Sequence, residues 1–329
     1  MTTQYGDITP ALAGHMSKVE AIKHNIPKAI IDQFGQPFEL PERNTPTIIF
    51  EALEKLDPTP TPIAVEGVRP TGKQLEIIRV QKTLTQYGDI VEITDVIDTT
   101  HPCPVLSRCM RLCGDQFVTM MEIIKYGVLK GGTNVVYSNG TARVDVNTQF
   151  SKALQTKSLR GLMRQDADTI SERLAPSPNF NTEPVAPCYV AMCHTDLISD
   201  VEAVEGFTPV EKYSSWKPFE GEFGKIGTVR YCASTVFKPW TDAGGDAGTM
   251  ISTTGTKADV YPIIYIGKWA YGHVALRGQS VFTPLVLKPN VPRGGDELGQ
   301  KGSCGWKTMQ GAVILNDYFM VRAEVSVKQ

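Results

Sequence analysis

The 329-residue chain contains no uninterrupted apolar run near the ~18 residues that a membrane-spanning helix needs. Its longest candidates, Val260–Gly267 and Ala312–Leu315, are strand-sized. The opening MTTQYGDITPALAGHM lacks a basic segment followed by an apolar core, so no secretion signal is read there. Charge bias is nearly absent: 33 Lys and Arg stand against 35 Asp and Glu, a net charge of -2, with the cations dispersed. That excludes a protein gripping nucleic acid by bulk charge. Glycine (29) and proline (22) stay well below the ~25–30% of low-complexity chains. The seven cysteines include no CxxC pair. In a chain long enough to bury a core without covalent staples, they read as buried thiols of a protein made in a reducing compartment.

Residues 1–45 are broken by Pro10, Gly14, Pro27, Gly35, Pro37 and Pro41 and read as an arm, with a short amphipathic piece over 17–34. Residues 47–98 read as a long β-arm. Asp57-Pro-Thr-Pro-Thr-Pro62 cannot be helical, Gln74–Thr85 and Tyr87–Val96 are β-prone, and the tip falls at Gly67–Gly72. A ribbon this poor in apolar surface needs support from elsewhere. The strongest helical stripe covers 102–130, with Thr99 or Thr100 as cap and Gly131-Gly132 as stop. At ~1.5 Å per residue it makes a rod of about 40 Å, the length of a spine. The face carrying Cys109, Cys113, Phe117, Met121 and Ile124 is expected to bury against the terminal strand Phe319–Val327.

A hairpin-like stretch follows at Val135–Gly140. A second helix is expected from a cap at Asn147 or Thr148 to about Leu174. Beyond it, strands alternate with short helical pieces: Cys188–Cys193, a helix over Asp196–Val204, Val229–Ser234, Tyr261–Ile266 and Val281–Leu287. The end, Ala312–Val327, reads as one long strand or a strand pair. Thr3-Gln-Tyr-Gly-Asp-Ile8 recurs as Thr85-Gln-Tyr-Gly-Asp-Ile90, which reads as a shared strand-turn preference with Gly-Asp as the turn.

Gly67-Val-Arg-Pro-Thr-Gly-Lys73 has the GxxxxGK spacing of a phosphate loop. However, Gln74 stands where a magnesium-binding Ser or Thr belongs, Pro70 removes an amide, and the following residues are strand-prone. A hairpin tip fits better. Cys193-His194 does not make a nucleophile and base, because strand neighbours point to opposite faces. Cys103, Cys109 and Cys113 have no second ligand pair and read as core. The five histidines (His15, His24, His101, His194, His273) lack ligand spacing, and Asp242 and Asp246 lack a calcium-loop pattern. No catalytic, cofactor or metal residue is assigned and no cofactor is expected.

Four stretches carry a resemblance: Thr3–Pro10, Leu84–Val96, Tyr126–Asn134, and Gly305–Lys307 with Ala312–Val327. In order and spacing they resemble the major capsid proteins of tailed phages, best the group typified by coliphage N-four, with the HK97-like fold. The resemblance implies an α+β chain with an N-terminal arm (1–45) and an extended loop lying across a neighbouring subunit (46–98). It further implies a peripheral domain around the spine helix (99–180 with 305–329) and an axial domain (181–304). The implied function is structural. Hexamers and pentamers of the chain itself would form an icosahedral shell around double-stranded DNA, assembled in the host cytoplasm and resident in the virion. Scaffolding, portal and decoration proteins would be further partners, without membrane contact or sequence-specific DNA binding. Neither a lysine–asparagine cross-link through Lys73 nor a fused scaffolding segment is expected. Two alternatives stay open: an encapsulin-like cage of the same fold, and a hydrolase or nucleotide binder built on 181–304.

Overall fold

Within the run Cys188–Cys193, alternation sends Tyr189, Ala191 and Cys193 into one apolar cluster and Cys188, Val190 and Met192 into another. A strand buried on both faces must lie inside a sheet covered on both sides. The computed structural model describes residues 27, 29–43, 45–56, 58–59, 72–100, 105–174, 182–213, 217–276 and 284–329. In chain order the strands are β1 (Gln36–Leu40), β2 (Thr47–Leu53), β3 (Ile77–Thr83), β4 (Thr85–Thr94), β5 (Val135–Tyr137), β6 (Ile170–Leu174), β7 (Thr182–Cys193), β8 (Phe207–Pro209), β9 (Glu222–Ile226), β10 (Val229–Ala233), β11 (Tyr261–Ile266), β12 (Tyr271–Leu276), β13 (Pro284–Leu287), β14 (Lys301–Ile314) and β15 (Met320–Val325). The helices are α1 (Asp95–Thr100), α2 (Val105–Leu129), α3 (Lys152–Arg164) and α4 (Ile198–Glu202).

An eight-stranded mixed sheet has the order β5-β15-β11-β7-β10-β9-β8, with β6 added beside β7. One face is covered by α3 through Leu154 and Leu162, which pack with Ala191, Ile263, Tyr265 and Val321. The other is covered by Tyr126 and Leu129 of α2 and by Ile30, Ile31 and Phe34. A second sheet has the order β1-β12-β14-β13, with β4 on the other edge of β14. β2 and β3 form a separate antiparallel ribbon.

Helix α2 is long enough, about 38 Å, to serve both sheets. Its last turns pack on the eight-stranded sheet. Its first half lies on β14, where Cys109, Cys113 and Phe117 meet Cys304 and Trp306. This corrects the expected partner. The stripe with Cys109 and Phe117 covers β14, while β15 is covered by α3 and meets α2 where Met320 joins Tyr126 and Leu129.

Other boundaries also shift. Thr99 and Thr100 do not cap α2; they belong to α1 and donate to the carbonyls of Asp95 (2.8 Å) and Val96 (2.6 Å). The second helix starts at Ser151, whose Oγ accepts from the Leu154 amide (3.3 Å), and it stops at Arg164. Asp166 then takes a left-handed φ of 54° that a helix cannot continue through, and Ile170–Leu174 pairs as a strand with β7. Val135–Tyr137 is no hairpin; it runs parallel to β15. The last segment is a strand pair, β14 and β15, separated by a turn in which Asn316 accepts from the Tyr318 amide (3.0 Å).

The second copy of the repeated hexapeptide contains no turn. Gly88 and Asp89 lie mid-strand in β4, opposite Lys307 and Trp306. Gly88 is there because a Cβ would come within 2.7 Å of the Trp306 carbonyl. The first copy lies outside the described residues. Both sheets draw strands from either side of residues 180/181 and 304/305: β15 pairs with β11, and β14 with β12.

Candidate assembly surface

The inner end of the ribbon packs on the body, and just beyond β2 Lys55 lies 4.0 Å from Asp166. Ile48, Phe50 and Val80 pack with Phe38, Leu84, Val274 and Val313, and the Phe38 and Phe50 rings meet edge-on at 4.8 Å. Further out the register pairs Ala52 with Ile78 and Leu53 with Ile77, yet Leu53 is 63% exposed and Ile49, Leu56, Leu75, Ile77 and Ile78 are each more than half exposed. The Glu51–Arg79 ion pair (2.8 Å) bridges the strands beside them. An isolated ribbon that presents aliphatic side chains to water buries too little to hold itself. Contiguous exposed apolar surface of this kind is uncommon on a soluble monomer.

A second apolar surface lies on the five-stranded sheet. Cross-strand pairing puts Ile90, Gly305 and Leu285 in one row and Ser303 and Leu287 in the next. Gly305 has no side chain because a Cβ would approach the Asp89 carbonyl to 2.6 Å. The gap leaves a trough of about 430 Å³ between Ile90, which is 62% exposed, and Leu285 and Leu287, with Trp306 and Asp89 at its rim. Asp89 accepts from the Ile90 amide (2.8 Å) and from Gln116 Nε2 (2.5 Å), and these bonds hold its carboxyl below the ordinary range. Gln116 Oε1 in turn accepts from Trp306 Nε1 (3.3 Å), joining α2 to β4 and β14.

Near the N-terminal side, residues 30–32 are tied to α2 by buried charges. Glu122 Oε1 accepts from the amides of Ile30 (2.7 Å) and Ile31 (2.9 Å). Lys125 pairs with Asp32, and His273 lies 3.5 Å from the same carboxylate. Burial, and then the charge of Asp32, push the Glu122 carboxyl up to about 7. Burial, and then Lys125, push His273 down to about 4.

Lys73 precedes strand β3, so the helix that a phosphate loop requires does not follow it; Gly67 and Pro70 lie outside the described residues. Cys193 is fully buried, its Sγ directed at the Cys232 carbonyl (3.6 Å), and burial pushes its thiol up to about 12. His194 instead faces Asp196 (3.1 Å), and burial holds it below its ordinary value. The two side chains do not meet. His15, His24, His101 and Cys103 lie outside the described residues. Asp242 accepts from the Lys257 amide (2.8 Å) and Asp246 pairs with Lys257 Nζ (2.7 Å), so both carboxylates serve their own loop. Sequence reasoning missed one convergence: Cys304 joins Cys109 and Cys113, placing three sulfurs together. The signal was a cysteine in register with Trp306 on an alternating strand, masked by Gly302 and Gly305.

No protein-family model and no curated protein matches the sequence. Solved structures do match in fold. The capsid of Ralstonia phage GP4 is similar at 13% identity with a TM-score of 0.69, covering 100% of this chain and 98% of that one. The capsid of the cyanophage P-SCSP1u gives 12% identity and a TM-score of 0.62, covering 95% and 93%. The holo-SrpI encapsulin of Synechococcus elongatus gives 11% identity and a TM-score of 0.53, covering 90% and 86%. With its spine helix, mixed sheets and projecting ribbon, the chain has the α+β, HK97-like fold of tailed-phage capsid proteins.

Proposed function

We propose that this chain is the major capsid protein of a phage and self-assembles into hexamers and pentamers of an icosahedral shell around double-stranded DNA. One observation carries the reading: a ribbon with uncovered Leu53, Ile77 and Ile78 projects from a fold otherwise found in assembled capsids. Covering those side chains at ~25 cal/mol per Å² of apolar surface gives each neighbour contact its drive. In this reading 1–45 is the arm, 46–98 the loop laid on a neighbour, 99–180 with 305–329 the peripheral region, and 181–304 the axial region. The regions are districts of one unit, since strands of each pair with strands of the other. The four family-like stretches support kinship with the coliphage N-four type. The role is structural rather than enzymatic, the location is the virion after assembly in the host cytoplasm, and scaffolding, portal and decoration proteins are the further partners. A net charge of -2 suits a container that does not grip its genome.

A second reading, an encapsulin-like cage, is favoured by the similarity to the SrpI encapsulin. Negative-stain microscopy of the purified protein tests both. Closed shells or ring-shaped capsomers are expected, whereas a discrete monomer or dimer at all concentrations overturns them. Nucleic acid in shells purified from infected cells identifies the capsid, and packaged protein identifies the cage.

A further inference from the structure

Six cysteines are described, all buried and all free. Cys188, Cys193 and Cys232 are spread over the eight-stranded sheet. The other three converge. The i, i+4 spacing in α2 puts Cys109 and Cys113 on one helix face, and alternation along β14 turns Cys304 toward that face with Trp306. The three Sγ atoms all lie within 4.8 Å of one another.

We propose that Cys109, Cys113 and Cys304 form a binding site for one soft, closed-shell cation, zinc(II) or copper(I), held between α2 and β14. Three features support it. The first is geometry: with metal–sulfur bonds of ~2.3 Å in a tetrahedral arrangement, the sulfurs sit about 3.8 Å apart. The cluster needs only small side-chain rotations to reach that spacing. The second is donor chemistry. A set made wholly of thiols selects zinc or copper(I) and rejects magnesium and calcium, which require oxygen. The third is the surroundings. Ile93, Ile97 and Trp306 pack in the same cluster, and Cys304, Cys113 and Cys109 are 0%, 3% and 8% exposed. Zinc would take a water as its fourth ligand, while copper(I) is satisfied by three sulfurs. No electron is transferred: each metal–sulfur bond replaces one S–H bond, whose proton passes to solvent. Because two ligands come from the helix and one from the strand, binding fastens α2 to β14 and stabilises the folded subunit by mass action.

The test uses the full chain, purified under reducing conditions and titrated separately with zinc(II) and with copper(I), followed by elemental analysis after gel filtration. One metal per chain, with a raised melting temperature, is expected from at least one of the two, and which one binds identifies the cation. Cadmium(II) should give a sulfur-to-metal charge-transfer band in the ultraviolet. Cys304→Ala and Cys109→Ala should lose that band, and Cys188→Ala should keep it. Should the variants fail to fold, alkylation of the wild-type protein decides the matter. Metal loading should protect Cys109, Cys113 and Cys304 and leave the reactivity of the other cysteines unchanged. Failure to retain any of the three metals, or protection that falls on Cys188, Cys193 and Cys232 instead, overturns the proposal.

Discussion

The ring of Phe117 stands edge-on to Trp306, with centroids 5.2 Å apart and planes at 79°. This pair, rather than any contact with β15, fixes the first half of α2 on the five-stranded sheet. Phe117 is only half-buried, so Phe117→Ala should cost about 3 kcal/mol, the low end for a buried aromatic truncation. Chemical denaturation of unassembled subunits measures it. A double-mutant cycle with Trp306→Leu should return a coupling of about 0.5–1.5 kcal/mol, the range for an edge-on aromatic pair. No coupling would mean that the two rings are neighbours without mutual support.

Glu122 sets a pH dependence. The charged groups that act on it are Asp32 and Lys125, and Tyr271 feels its charge. Its carboxyl titrates near 4.5 in the unfolded chain and at about 7 in the folded one, so folding favours the protonated form. The contribution of Glu122 to stability therefore falls as pH rises from about 4.5 to about 7, and no further above that. Glu122→Gln keeps an acceptor for the Ile30 and Ile31 amides and removes the charge. The variant should match the wild type near pH 4 and exceed it by roughly 3 kcal/mol at pH 8. A pH-independent difference between the two melting curves would refute this. His273, neutral in the fold, pulls the other way below about pH 6.5 in both proteins and so cancels from the comparison.

The ribbon and the core should separate cleanly under mutation. Leu53→Asp with Ile78→Asp places charges on side chains that are already exposed, so the subunit melting temperature should stay within about 2 °C of the wild type. Shell yield by sedimentation should collapse, because each charge would be buried without a partner at a neighbour contact. Normal shells from this variant would remove the ribbon from the assembly surface.

Free subunits should be cut by a protease first within residues 54–76, and assembled ones should not. The backbone bond from the Glu54 amide to the Glu76 carbonyl (2.9 Å) is the outermost ribbon pairing among the described residues. Equal cleavage rates before and after assembly would count against a neighbour covering this segment.

ATP should not be turned over. Lys73 leads into a strand, and Gln74 offers no hydroxyl for magnesium. A rate of ~1 s⁻¹ or more in the wild type, lost in Lys73→Ala, would revive the nucleotide reading.

Elements with a strong period were legible in the sequence. Helix α2 was found within a few residues because its stripe runs unbroken, and β7 was found because both its faces are apolar. What failed was whatever depends on distant partners. Val135–Tyr137 looked like half of a local hairpin because Asn139-Gly140 follows it, but its partner is Arg322–Glu324. Ile170 and Leu174 continued a helical period past a break set by Asp166, a residue that enters the left-handed region without a glycine to announce it. β14 was legible only from Ala312 onward, because Gly302 and Gly305 dilute its earlier pattern. Each is there because a neighbouring backbone or Pro289 comes too close for a Cβ. The candidate surface was legible as a thin, proline-edged arm. The trough was not, since it exists only where three strands align.

Strand β14 also decides how the subunit carries mechanical load. Ten consecutive residue pairs join it to β4, from Lys301 opposite Thr94 to Gln310 opposite Thr85. β4 continues directly from the ribbon through Leu84. A neighbour that pulls on the ribbon therefore drags β4 along its own length. The inter-strand hydrogen bonds lie across that pull, so they are sheared together rather than opened one after another like a zip. The opposite edge of β14 is held by β12 and β13, and α2 clamps its inner face. In the proposed shell, internal pressure would thus meet one long shear joint in every subunit, the arrangement that makes a thin wall tough in tension.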